Sequence, residues 1–310
     1  MSTKILLKTF YSQSLVDILS EFFSFILTQK RYSVNTCDAY YRDINDFLAF
    51  LSQRVDKLID LSDLHNLTAA DFRSWLANRL NNHVNSSNAR ALSSLRSFFK
   101  FLEINELLIN SEIKKIKTPK ISNSVPKAID KIDIDKILQY IDNTQQELWQ
   151  IKRDKAIITL IYGCGLRISE ALSLVKNSIS KSHIRVFGKG RKERLIPILP
   201  IVSYNIEQYL KISPFVIVNN QGIFLSNSGL ALNRRYVNAM LIKIRRDLNL
   251  SEFISPHAFR HSFATHLLES DVDLKSIQQL LGHKNLSTTE RYTKINKSKL
   301  LSSYAKFQKR

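Results

Sequence analysis

Apolar residues at helical spacing run through the first third of the chain and leave little room for a sheet there. "LVDILSEFFSFILTQ" carries them at positions 15, 18, 19, 22, 23 and 26, one face of a helix. "SVNTCDAYYRDINDFLAFLSQ" repeats the period with Tyr40, Ile44, Phe47, Leu48 and Leu51. "TAADFRSWLANRL" opens on Thr68, a residue suited to cap a helix start, and continues with Phe72, Leu76 and Leu80. "SSNARALSSLRSFFKFLEINELL" adds Leu92, Leu95, Phe98, Phe99 and Leu102. Each stripe must be buried, so four such helices without strand signals predict a small bundle over residues 1–112. Arg90, Arg96 and Lys100 fall on the polar side of the fourth helix, either as a solvated face or as a contact surface for an anion.

The pattern then breaks. Residues 113–128, "IKKIKTPKISNSVPKA", hold two prolines, five lysines and no acid, and are expected to be a basic linker. Lys114 and Lys115 could follow a phosphate backbone, or simply keep a tether soluble. From 129 to 310 the signals mix. "DIDKILQYID", "LWQIKRDKAIITLIYG" and "LRISEALSLVKNSI" read as helices, the last two separated by "GCG". "SHIRVF" and "RLIPIL" flank "GKGRKE", two β-rich runs around a glycine-containing turn, hence a hairpin. Helices are expected around 200–211, 233–248, 256–269 and 273–281. The fold class is therefore mainly α, with a small sheet in the second of two domains, and 310 residues suit that number.

Lys and Arg number 46 against 27 Asp and Glu, a formal charge of +19. A field of that sign recruits polyanions, through salt-sensitive contacts where the partner is nucleic acid. An anionic membrane surface is the second candidate. The basic residues sit on several elements rather than on one amphipathic anchor, which favours nucleic acid. Cys37 and Cys164 cannot form a disulfide framework and show no zinc spacing, so reduced thiols and a cytoplasmic compartment are expected. "MSTKILLKTFYSQS" lacks the apolar core of a signal peptide. "AIITLIYGCGL" is too short to span a bilayer.

Four stretches of the second domain carry candidate chemistry. In "SPHAFRHSFATHLLES", Ser255 suits an N-cap and Pro256 a first helical residue. Phe259, Phe263 and Leu267 should face the core, while His257 and Arg260, three apart, share another face at a helix start, where anions bind. His257, His261 and His266 do not make a metal site: neither an interposed Glu nor a third ligand joins them. In "GCGLRISEALSL", Arg167 starts a helix, with Glu170 placed to orient or partly neutralise it. In "VFGKGRKERLIPI", Lys189 lies between two glycines at the hairpin tip, and Lys189, Arg191, Lys192 and Arg194 form a cluster expected to contact phosphate. In "LLGHKNLSTTERYTKIN", Gly282 stops a helix, His283 follows, and Ser287 with Glu290 forms a capping box that starts the helix carrying Tyr292. Together these groups match the needs of phosphodiester transfer. Two guanidinium forks stabilise a phosphorane, a phenol can attack, and an imidazole and an ammonium can move protons. The set needs no metal ion and no cofactor.

These four stretches, in order and spacing, resemble the tyrosine recombinase (phage integrase) family, and within it the Xer-type site-specific recombinases. The resemblance covers essentially the whole chain. It is most specific in the second domain, with "ARALSSLRSFFKFL" the best match in the first. It implies an N-terminal SAM-like core-binding domain and an α+β catalytic domain closing as a C-shaped clamp on duplex DNA. It implies that Tyr292 forms a 3′-phosphotyrosyl link and that Arg167 and Arg260 clamp the phosphate. Lys189 would protonate the departing 5′-hydroxyl, His257 would exchange a proton with the tyrosine, and His283 would hydrogen-bond the phosphate. It further implies a tetramer on DNA, alone or with a second recombinase, a dif-like target, chromosome dimer resolution in the nucleoid, and a DNA translocase as activator. A C-terminal helix about 298–308 would dock on a neighbouring protomer, although its face of Leu300, Tyr304 and Phe307 suits packing on its own domain equally well.

Three other functions remain. A catalytically silent DNA-binding protein would not need the complete set of six residues. A type IB topoisomerase shares the chemistry but acts as a monomer. A phage or mobile-element integrase commonly adds an N-terminal arm-binding domain, for which no signal is seen.

Overall fold

A computed structural model describes residues 10–120, 127–180, 182–187 and 193–269. The chain divides into two compact units, Met1–Ser124 and Val125–Arg310.

The first unit is a helical bundle of α1 (Gln13–Thr28), α2 (Val34–Val55), α3 (Leu61–His65), α4 (Ala69–Leu80) and α5 (Asn85–Ile104). The four long helices lie where the apolar period predicts them. The short α3 is an addition that the period could not reveal, because five residues hold little more than one turn. Its signal is a reciprocal cap: Asp60 accepts from the Asp63 N–H at 2.9 Å, and Asp63 accepts from the Asp60 N–H at 3.0 Å. Thr68 starts α4 as expected, its backbone N–H and hydroxyl donating to Asp71 at 2.8 and 2.7 Å. The core is aromatic. Phe22 meets Phe98 and Phe101 edge to face, and Phe47 stacks on Phe72 and meets Trp75 edge to face. Leu80, on the same stripe as Phe72 and Leu76, is instead exposed at the end of α4.

The basic segment after α5 begins inside this core. Ile113 and Ile116 are buried with α4 and α5, the first within a 3₁₀ turn at Glu112–Lys115 and the second just after it. Arg96 fastens it further by donating to the Ile116 carbonyl and, at 2.9 Å, to the Thr118 hydroxyl. Lysine content alone suggested a tether. The two isoleucines, three apart, bury this part of it.

The second unit is built around α7 (Leu148–Cys164), which follows α6 (Lys131–Asp142). Ala156, Ile157, Ile158, Leu160 and Ile161 of α7 are fully buried, so this apolar run is a core helix. Among the described residues, no helix is long and apolar enough to cross a membrane. α7 ends at Gly165, whose φ of +59° turns the chain out of the helix at little cost only because it has no Cβ. α8 follows but spans only Ile168–Leu172. The longer helix expected over "LRISEALSLVKNSI" does not form. After Leu174, whose carbonyl accepts from the Ile223 N–H at 2.8 Å, the chain goes extended and Val175 bridges to Gly222. Long-range pairing there outcompetes helix propensity. A Cβ on Gly222 would come within 2.7 Å of the Leu172 carbonyl oxygen, so the approach requires glycine.

The predicted hairpin is present as β1 (His183–Phe187) and β2 (Glu193–Pro197), antiparallel, with Phe187 opposite Glu193 and His183 opposite Pro197. Its turn lies outside the described residues. α9 (Pro200–Ile212), α10 (Arg234–Asp247) and α11 (Pro256–Leu268) complete the described part of the unit, close to their expected places. The helix expected at 273–281 and the C-terminal docking helix also lie outside the described residues.

Candidate active site

The site grows from one buried carboxylate. Glu170, on α8, is 6% exposed. Its Oε1 accepts from Arg167 Nη1 at 2.8 Å and from Arg194 Nη1 at 3.0 Å. Its Oε2 accepts from the Arg167 backbone N–H at 2.8 Å and from Arg194 Nη2 at 2.7 Å. Arg260 Nη1 stands 3.6 Å from Oε2. The Arg167–Glu170 pair is therefore not a surface salt bridge but part of a buried cluster.

Local folding brings the three arginines to that carboxylate. Arg167 is the residue before α8, where its extended backbone lets its N–H meet Glu170 one turn on. Arg260 lies on α11, which starts as predicted: Ser255 accepts from the Ala258 N–H at 3.2 Å and Pro256 follows. Phe259, Phe263 and Leu267 are buried in the core and set the rotation of α11. Arg260 then turns to the Gly165 carbonyl, to which Nη1 donates at 2.5 Å. The glycine that ends α7 thus presents an acceptor to one of the two arginines among the catalytic candidates.

Among the described residues, three guanidiniums stand at one carboxylate. Burial, and then the charge of Arg167, push the Arg260 pKa down to about 10, with Arg194 adding to the push and Glu170 resisting it. Arg260 stays protonated at neutral pH, and the depression reflects burial first and the nearby like charges second. Glu170 answers in the opposite sense. Burial raises its pKa, but the bonds from Arg194 and Arg167 outweigh burial and hold it below the usual glutamate range. Such a site favours an incoming anion with several oxygens. The Arg167 side chain, 44% exposed, is open to it.

His257 sits exposed on the first turn of α11, one turn before Arg260. His266 is a buried group of the core, 3.0 Å from the Tyr162 hydroxyl, and burial lowers its pKa. Lys189, Arg191, Lys192, His283 and Tyr292 lie outside the described residues.

One expectation is overturned. Arg194, expected to contact phosphate with the other cations of the turn, is instead buried against Glu170. The signal that finds it is strand alternation: β2 buries Arg194 and Ile196 on one face and exposes Glu193 and Leu195 on the other. Counting basic residues hides that alternation.

The cations of the first unit are variously engaged. Arg90 forks onto buried Asp43 with two bonds of 2.9 Å. Arg96 holds the segment after α5 in place. Lys114 reaches both oxygens of Glu103 at 3.1 Å, Lys115 pairs with Glu112, and Lys100 is exposed.

Residues 127–299 match the phage integrase family, and residues 19–105 match the phage integrase N-terminal SAM-like domain. The chain belongs to the phage integrase family, the tyrosine recombinases, enzymes that cleave and rejoin DNA strands. It is 41% identical over 293 residues to tyrosine recombinase XerC of Rickettsia canadensis and to that of Rickettsia prowazekii, covering 94% of this chain and 96% of each relative. The fold also resembles lambda integrase, seen as a tetramer bound to a Holliday junction. That match has a TM-score of 0.68 at 17% identity, over 89% of this chain and 80% of that one. XerH recombinase, bound to its difH substrate before cleavage, matches with a TM-score of 0.63 at 20% identity, over 86% and 78%.

Proposed function

We propose that this chain is a Xer-type recombinase that exchanges strands at a dif-like chromosomal site through a covalent tyrosyl intermediate, resolving chromosome dimers. The observation that supports it is the buried Glu170 cluster, which gathers Arg167 and Arg260 at one carboxylate, an arrangement suited to holding a phosphodiester. Identity along nearly the whole length of relatives named XerC supports the dif-like target.

Tyr292 attacks the scissile phosphorus, the bond to the 5′-oxygen breaks, and a 3′-phosphotyrosine remains. Lys189 supplies the proton for that oxygen and His257 receives the one Tyr292 gives up. Arg167, Arg260 and His283 hold the non-bridging oxygens as negative charge grows on them. A 5′-hydroxyl from the partner duplex then attacks the phosphotyrosine and releases Tyr292. Attack by a second strand needs a second protomer, so the working unit is a tetramer on two DNA sites, made of this chain alone or shared with a second recombinase. Arg90, Arg96, Lys100, Lys114, Lys115, Arg191 and Lys192 are the proposed contacts to the DNA backbone. A DNA translocase is the proposed activator, and the cytoplasmic nucleoid the place of action.

The test is incubation with a nicked suicide DNA carrying a dif-like site. A protein–DNA adduct that survives denaturation is expected with the wild type and absent with Tyr292→Phe. Failure of the wild type to form it, or an adduct in the variant, refutes the mechanism.

A further inference from the structure

We propose that Arg194 is a positioning residue for strand cleavage: from the buried face of β2 it grips both oxygens of Glu170 and so fixes the carboxylate that aligns Arg167 and Arg260. This rests on the recombinase reading above. The Arg194 side chain is 7% exposed and its Nη1 and Nη2 take Oε1 and Oε2 at 3.0 and 2.7 Å. It acts on the phosphate through Glu170 rather than by touching it. Glu170 could in principle turn fully toward Arg167 and Arg260 and pair with both. The fork of Arg194 prevents that: it occupies one lone pair on each oxygen and offsets one negative charge. Arg167 keeps one bond to Oε1 from its guanidinium and one to Oε2 from its backbone, and Arg260 stays 3.6 Å away, held by the Gly165 carbonyl. Arg167 and Arg260 then keep the positions from which they would hold the phosphate.

Arg194 also decides the charge state of Glu170. Among the described residues, the charged groups facing this carboxylate are Arg167 from the start of α8, Arg194 from β2 and Arg260 from α11. Burial favours the neutral acid, and bonding to Arg194 is the largest opposing influence. Without Arg194, Glu170 takes up a proton at higher pH. A protonated Glu170 carries no charge to hold Arg167, so cleavage falls.

The experiment measures adduct formation on the suicide DNA across a pH series, with DNA affinity measured separately. It compares the wild type with Arg194→Met, Arg194→Lys, Glu170→Gln and the Arg194→Met/Glu170→Gln double variant. Arg194→Met is expected to cleave about ten- to a hundredfold more slowly, the scale of a hydrogen bond to a buried charged group. DNA affinity should be unchanged, and the acid limb of its rate profile should move to higher pH. Arg194→Lys keeps the charge but not the fork, so it should restore the acid limb and part of the rate. The double variant should be no slower than Glu170→Gln alone. Unchanged cleavage and acid limb in Arg194→Met, equal losses of DNA affinity and cleavage, or multiplying effects in the double variant would each overturn the role. A wild type that forms no adduct would instead overturn the recombinase reading beneath it.

Discussion

Replacing Glu170 by Gln removes one charge and changes almost no volume, and the structure fixes what should follow. Each oxygen of Glu170 accepts two N–H groups, one from Arg167 and one from Arg194. Gln keeps one oxygen and puts an NH₂ where the other stood. Whichever way the amide faces, two of the four donors lose their acceptor and confront another donor. The three guanidiniums also lose their only shared counter-charge among the described residues. Breaking a buried ion pair from one side costs about 3–5 kcal/mol. Hydrogen exchange read by mass spectrometry measures it, because the α7 amides at the centre of the core exchange through opening of the whole unit. At about 1.4 kcal/mol per tenfold, α7 should exchange about a hundred- to several-thousandfold faster. Peptides from α2 and α5, in the other unit, should keep their rates. The sign of the pH dependence follows from the lowered pKa of Glu170. Its contribution is complete above the ordinary value of 4.5 and is lost as pH falls through the lower folded value, so Glu170→Gln should flatten that acid loss. A change under about 1 kcal/mol, the worth of an exposed pair, would refute the buried cluster as the organiser of this site.

Other consequences are open to simpler measurement. Gly222→Ala should lower the melting temperature of the second unit, at a cost of about 1–3 kcal/mol, because its Cβ meets a backbone carbonyl that cannot swing away. An unchanged melting temperature would show that the Val175–Gly222 bridge adjusts freely. Arg96→Ala should speed tryptic cleavage after Lys117 several-fold, since it frees the Ile116 carbonyl and the Thr118 hydroxyl, while α5 itself stays resistant. Equal cleavage rates would show that burial of Ile113 and Ile116 alone holds the segment.

Helices declare themselves locally. The spacing of Leu15, Leu19, Phe22 and Ile26 is enough to predict α1, and Ser255-Pro256 is enough to start α11, because apolar period and cap chemistry act within a few residues. The hairpin is legible for the same reason, from β-rich runs around a glycine turn. The sequence by itself also carries the order and identity of Arg167, His257 and Arg260, and the family that they mark.

Burial of the charges is where local signals stop. Arg194 looks like one more cation of a basic turn, and Glu170 like half of a surface pair, until β2 and α8 face each other and close both from water. The same holds for Ile113 and Ile116, which sit in a lysine-rich stretch but fill the core of the bundle, and for the shortened α8, cut off by pairing with residues about fifty positions away. Whether a charge is solvated or paired depends on neighbours distant in sequence, and its free energy changes by several kcal/mol between those states. Residue types and helical faces were therefore the sequence's to determine. Which arginine stays open to solvent at that carboxylate, and which one grips it from the buried side, was decided by the packing of α7, α8, α11 and β2.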